Sequence, residues 1–202
     1  MVPVLLAAVA LHGNSLFWSQ WYPQFWNATT LKALKCTWNA NVVRAAMGVD
    51  QGGYLSTESS QYQLVTTRDV HRPSGCFLYK NCQSIWQLPT HNLHAGTHTV
   101  SGLGAKLKTA YTNSLPIFVT EYGACESSGN GTIATSSMNE WWSFLDGYKI
   151  SYCNWSVCNK GESCSALTTS ASASNVGSSS YWTTSGKLIQ AYYKEQSNGV
   201  SC

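Results

Sequence analysis

The stretch that most restricts what this chain can become is residues 116–123, Pro-Ile-Phe-Val-Thr-Glu-Tyr-Gly. Four of its first five side chains are apolar, which predicts a buried strand. Strand stability gains nothing from the glutamate near its end, because a buried carboxylate is costly unless it is paired. In parallel α/β sheets and barrels, the carboxyl ends of strands are where ligands bind and chemistry happens. Glu121 therefore reads as a carboxylate facing a cleft, with Gly123 letting the chain turn away. The bland alternative is a glutamate that caps the strand or pairs with a basic neighbour.

Composition narrows the function classes. At 202 residues the chain is long enough for one domain with a real core. Charged residues are 10% and aromatics 12%, with nine Trp, which excludes a disordered chain. Many Trp among few charges fits a protein that handles carbohydrate, although most of the nine belong in a core. A net charge of +3 without a basic run gives no support to nucleic-acid binding. The apolar run at 1–10 is too short to span a bilayer and lacks a basic start, so no membrane partner is expected. It reads equally as a signal-peptide remnant or as the lead into the first strand.

The eight Cys, at 36, 76, 82, 125, 153, 158, 164 and 202, include no C-x-x-C pair. That argues against a zinc site, and neither metal nor cofactor is expected. Their even count, with glycosylation sequons at Asn27, Asn130 and Asn154, points to a secreted, oxidising setting. Which cysteines pair is left open.

In chain order, 9–13 predicts a strand and 14–21 an aromatic loop. Asn27 predicts the cap of a helix over 28–38. Residues 41–47 predict a second buried strand, with Arg44 where a charge is costly. A buried arginine needs an acidic partner, which a site carboxylate would supply. Helices follow at 103–110 and 135–149, the second capped by Ser136 or Ser137, with Trp141, Trp142 and Leu145 inward and Asn139-Glu140 on its surface. A strand over 149–155, a Ser/Ala/Gly-rich loop over 170–180 and a closing helix within 181–194 complete the chain.

Gly-Asn-Ser-Leu-Phe-Trp at 13–18, Val-Arg-Ala-Ala-Met at 43–47, Gly-Gly-Tyr-Leu at 52–55 and Ala-Gly-Thr-His at 95–98 precede the Glu121 strand in that order. With the helix at 103–110 and the strand ending in Trp155, they resemble glycoside hydrolase family 5, and within it the cellulase (endo-β-1,4-glucanase) type. The resemblance implies a TIM (β/α)8 barrel and retaining hydrolysis of β-1,4-glucosidic bonds in cellulose-like polysaccharides. It implies Glu121 as the catalytic nucleophile, steadied by Arg44. It also implies Trp18 as a wall of the glycone-side subsites, Trp155 as the stacking face at the cleavage point, and Lys160 and Glu162 as glycone contacts. The implied partner is a β-glucan, met by a secreted monomer.

The resemblance is broken in the middle. Residues 1–55 match the first two βα units, and 95–202 run from the end of strand six to the closing helix, while 56–94 is aberrant. The expectation is thus an incomplete barrel that retains strands one, two, seven and eight as a four-stranded sheet with open edges at two and seven. The Asn-Glu-Pro stretch that would carry the acid/base is absent, so an inactive or impaired enzyme is expected. The rivals are a non-catalytic carbohydrate-binding remnant and a defective gene model. Residues 67–94 lack periodicity. For a permitted choice of codons, 77–93 read one base later give a string resembling the family's third helix and the start of strand four. On that reading His91 and His94 are accidental. The transcript is expected to contain the shifted reading, and a nucleotide sequence without it removes this explanation.

Overall fold

In the computed structural model, residues 10–46, 52, 77–80 and 93–202 are described. The apolar run at 1–9, residues 53–55, His91 and most of the 56–94 segment lie outside them. Six strands form one sheet: β1 (His12–Leu16), β2 (Val42–Ala45), β3 (Phe77–Lys80), β4 (Leu93–His94), β5 (Phe118–Gly123) and β6 (Ser151–Val157). Their order is β3-β2-β1-β6-β5-β4, and every pairing is parallel. Parallel neighbours require crossovers. Among the described residues four α-helices accompany the strands: α1 (Ala28–Cys36), α2 (Ala105–Thr112), α3 (Thr135–Gly147) and α4 (Thr184–Glu195). The first and last strands pair side by side, as they do when βα units wind around a barrel.

This differs from the expected four strands. β3 lies beside β2 and β4 beside β5, so the outermost described strands are β3 and β4. A two-residue strand such as β4 cannot display the alternation by which strands are read, and β3 falls inside the unpatterned segment. The first strand also starts later than 9–13, and takes in Asn14 to Leu16 from the predicted loop. Close approach fixes one glycine: a Cβ on Gly13 would lie 1.7 Å from the Val42 carbonyl oxygen of the paired strand.

Asn27 caps α1 as predicted, its side chain accepting the Thr30 N–H at 3.0 Å. α3 starts at Thr135 as predicted, but its cap does not follow the prediction. Ala134 is its cap without a side-chain hydrogen bond, and Ser136 and Ser137 lie inside the helix. Its inward face is as read: Met138, Trp141, Trp142 and Leu145 are buried, while Asn139 and Glu140 are exposed. Between helices and sheet, Trp38 and Trp182 meet edge-on at 5.1 Å and both indole N–H groups donate to the Val176 carbonyl at 2.8 Å. Trp142 stacks on Tyr192 at 3.8 Å. The cysteines Cys36 and Cys202 form a disulfide that ties α1 to the chain's last residue.

Beneath the sheet, at the amino ends of the strands, sits a buried polar cluster. The Asp146 carboxylate, in the last turn of α3, accepts hydrogen bonds from Tyr152 at 2.9 Å and from Tyr192. His12 Nε2 lies 3.5 Å from the same carboxylate, and His12 stacks on Tyr152 with ring centroids 4.5 Å apart. A carboxylate at a helix carboxyl terminus opposes the helix dipole, so its partners must hold it there. Burial alone would raise the Asp146 pKa. The hydrogen bonds from His12, Tyr192 and Tyr152 and the attraction of His12 outweigh burial and lower it.

A carboxyl that ionises more readily folded than unfolded adds stability above its unfolded pKa, and that stability is lost as pH falls through the folded value. Asp146→Asn is therefore expected to lower stability by roughly 1–3 kcal/mol near pH 6. The gap to the parent chain should close below about pH 4. Thermal melts of both chains between pH 6 and pH 3 check this, and a gap that widens with acid contradicts it.

Candidate active site

The site lies at the opposite end of the strands from Asp146. Successive residues of a strand face opposite sides, and β5 uses both. Tyr122 points to the helices, where its hydroxyl meets those of Tyr193 at 2.9 Å and the Trp142 indole N–H at 3.4 Å. Glu121, one residue earlier, points the other way. Its Oε2 accepts from Arg44 of β2 at 3.2 Å, and its Oε1 lies 3.7 Å from Nε2 of His94 in β4. Glu121 and Arg44 are 9% and 8% exposed, so these charges are in large part removed from water. The Arg44 guanidinium also donates to Ser15 Oγ at 3.4 Å and lies 5.7 Å from the Trp155 ring centroid.

Above the arginine is an aromatic cluster. Trp155 packs against Phe17 at 4.9 Å and edge-on against Trp18 at 5.9 Å. Trp18 is half-buried, and Trp21, 6.3 Å from it, is 49% exposed. Lys160 holds Glu162 with an Nζ to Oε2 distance of 2.7 Å and stands 5.1 Å over the Phe17 ring. The hydrogen bond that Lys160 donates to Glu162 raises the Lys160 pKa, and so keeps the ammonium charged. Glu121, Arg44, Trp155, Trp18, Lys160 and Glu162, picked out separately along the chain, thus form one connected set of contacts.

His94 is the correction. Set aside in the sequence as accidental, it is 2% exposed and faces the Glu121 carboxylate. The signal was its place directly before Ala-Gly-Thr-His at 95–98, which put it at a strand's carboxyl end. The site loops after β5 and β6 are joined by a Cys125–Cys164 disulfide. Both sulfurs lie against His94 Nδ1, at 3.7 and 3.8 Å. A Cβ on Gly123 would come within 2.5 Å of Cys164 Sγ, so the glycine after Glu121 makes room for this disulfide. The sequon at Asn154 does not offer a glycan site in the fold, because Asn154 is fully buried in β6 and donates to the Tyr122 carbonyl at 3.2 Å. Among the described residues the Glu121 carboxylate pairs with Arg44 and His94. The acidic residues Asp50, Glu58 and Asp69 lie outside them.

Removing one partner of a buried ion pair leaves an uncompensated charge, at a cost of about 3–5 kcal/mol. Arg44→Met is expected to destabilise the chain by that order, and Glu121→Gln in the same chain should recover most of the loss. Melting of the two single variants and the double variant measures the coupling, and additive losses would mean that the two side chains do not support each other.

Comparison with known proteins places this geometry. Residues 80–161 match the family model described as cellulase (glycosyl hydrolase family 5). An endoglucanase of Clostridium saccharobutylicum is 25% identical over 278 residues, covering 93% of this chain and 61% of the relative. Endoglucanase N of Pectobacterium atrosepticum is 32% identical over 118 residues, covering 55% of this chain and 26% of the relative. The chain therefore spans less than two thirds of these relatives. The first alignment is longer than the 202-residue chain, so the relative carries residues there without a counterpart here. A solved structure from Cytophaga hutchinsonii superposes with a TM-score of 0.78 at 25% identity, over 95% of this chain and 90% of that one. The catalytic domain of a Thermobifida fusca endoglucanase, solved with cellotetraose, superposes with a TM-score of 0.73 at 15% identity, over 93% and 92%. At that identity the likeness is one of fold.

Proposed function

We propose that this chain, a glycoside hydrolase family 5 sequence of the cellulase type, is built to hold a β-1,4-glucan over Glu121 and to use that carboxylate as the nucleophile of retaining hydrolysis. The observation that carries the reading is the position of Glu121. It is buried at a strand's carboxyl end, between one fixed cation and one imidazole, beneath an aromatic wall. Arg44 donates a hydrogen bond to the Glu121 carboxylate and holds it in place. Trp155 and Trp18 offer faces on which the C–H surface of a sugar ring stacks. Lys160 and Glu162, at the rim, supply hydroxyl partners. The Cys36–Cys202 and Cys125–Cys164 disulfides support a secreted protein.

Retaining cleavage needs a second carboxyl about 5–5.5 Å from the first, to protonate the leaving oxygen and then to activate water. The sequence offers no Asn-Glu-Pro stretch for it. The chain is therefore impaired on cellulose, slower than an intact enzyme by on the order of 10²–10⁴-fold or more. A carbohydrate-binding remnant is the second reading, favoured by an aromatic wall that is complete without that carboxyl.

An activated substrate separates the two. An aryl 2-fluoro-cellobioside with a strongly acidic phenol leaves without a proton, so Glu121 can displace it unaided. The carboxylate oxygen of Glu121 bonds to the anomeric carbon, the bond from that carbon to the phenolic oxygen breaks, and the phenolate departs with the electron pair. Without a general base the glycosyl-enzyme persists. Mass spectrometry is expected to find one cellobiosyl adduct on the Glu121 peptide, absent in Glu121→Gln, while carboxymethylcellulose releases little reducing sugar. Retention on cellulose with no adduct supports the remnant. Turnover that survives Glu121→Gln removes Glu121 from the nucleophile role. Trp155→Ala should weaken retention on cellulose without lowering the melting point by more than a core tryptophan would, roughly 3–5 kcal/mol of stability.

A further inference from the structure

Three ligand-type atoms meet behind the nucleophile: Nδ1 of His94 and the sulfurs of Cys125 and Cys164, all buried and all within 4.8 Å of one another. They come from β4, from the residue two beyond β5, and from the loop after β6, so no sequence spacing announces them. In a tetrahedral zinc site, bonds of about 2.3 Å to sulfur and 2.0–2.1 Å to nitrogen set sulfur–nitrogen separations of about 3.6 Å. The separations here are 3.7 and 3.8 Å, so His94 already stands where a ligand would. The disulfide ties up the two sulfurs. Breaking it takes two electrons and two protons and leaves two thiols. A dithiol supplies both and ends as a disulfide. A phosphine supplies the electrons, water supplies the protons and its oxygen, and the phosphine ends as its oxide. The Cα atoms of Cys125 and Cys164 are 5.5 Å apart, close enough for both sulfurs to reach one ion by side-chain rotation.

We propose that the reduced chain carries a Cys2His site for a thiophilic divalent cation, formed by His94, Cys125 and Cys164 and masked by their disulfide when oxidised. Binding of the ion displaces the two thiol protons and forms two metal–sulfur bonds and one metal–nitrogen bond. The fourth position is open. Metal on Nδ1 places the remaining proton of His94 on Nε2, the nitrogen that faces Glu121 Oε1 at 3.7 Å. That is the carboxylate–histidine–metal arrangement by which metal sites fix a ring and its tautomer. The site would therefore couple the redox state of the disulfide to the hydrogen-bond donor that the candidate nucleophile sees. The inference rests on this geometry and stands whether or not the chain hydrolyses glucan.

The test uses the full chain reduced with a phosphine under native conditions and titrated with Co²⁺. Expected are the sulfur-to-cobalt charge-transfer band and the visible bands of a tetrahedral ion, at one equivalent per chain. The same chain without reductant should show neither. Zn²⁺ should displace the cobalt and release protons. Cys125→Ser or Cys164→Ser should abolish the bands, and His94→Gln should weaken binding at least ten-fold. Cys153→Ser, Cys158→Ser and the pair Cys76→Ser with Cys82→Ser should leave it in place. Bands that survive Cys164→Ser overturn the assignment. So does a reduced chain that keeps its circular dichroism but binds no cobalt, or one that loses its fold and does not regain it with metal.

Discussion

Two opposite charges meet inside this sheet, and much of the structure follows from letting them do so. Arg44 and Glu121 belong to β2 and β5, which β1 and β6 separate. Three strand spacings on a flat sheet amount to about 14 Å. A 3.2 Å contact across that span requires the sheet to curl with both side chains on its concave face. The pair is thus a chord across a barrel arc. Its desolvation is costly. What offsets it is geometric: Arg44 also reaches Ser15 and the Trp155 ring, and Glu121 also meets His94. Each added partner comes from another strand end, so satisfying one buried carboxylate aligns β1, β2, β4, β5 and β6.

The same requirement explains what the sequence disclosed. A carboxylate ending an apolar run is costly anywhere else, so Glu121 stood out. Arg44 stood out for the same reason, and the two proved to be partners. Asn27 was legible because its cap is a local interaction three residues long. The Ala134 cap of α3 was not, because that helix start is held by packing and backbone, such as the Ala134 N–H bond to the Ala124 carbonyl at 2.8 Å. β4 was missed as a strand because two residues have no period, and with it His94, whose role depends on what lies beside it in space. The disulfides and the His12–Asp146 contact join residues far apart in the chain, which local pattern cannot pair.

The loops at the site are held from both sides. Gly96 donates to the Cys125 carbonyl at 3.0 Å, Cys164 donates to that of Gly129 at 3.0 Å, and the Cys125–Cys164 bond closes the set. The ends of β4, β5 and β6 therefore move as a unit. A change at the disulfide reaches Glu121 through His94 by a path of two contacts.

Two carboxylates at opposite ends of the strands, Asp146 and Glu121, differ in their surroundings. Asp146 accepts hydrogen bonds from Tyr152 and Tyr192 and has His12 Nε2 3.5 Å away. It has no reacting partner to meet, and its lowered pKa expresses stability. Glu121 is the more deeply buried, its side chain 10% exposed against 29% for Asp146, and it is held by an arginine and by an imidazole at 3.7 Å, a looser contact than the tyrosine hydrogen bonds of Asp146. Its neighbours above are aromatic faces, which offer no hydrogen bond to compete for it. A buried carboxylate whose partners are one guanidinium and a longer contact to an imidazole is costly to a fold. This difference in surroundings, together with its deeper burial, is what supports the proposed nucleophile role of Glu121.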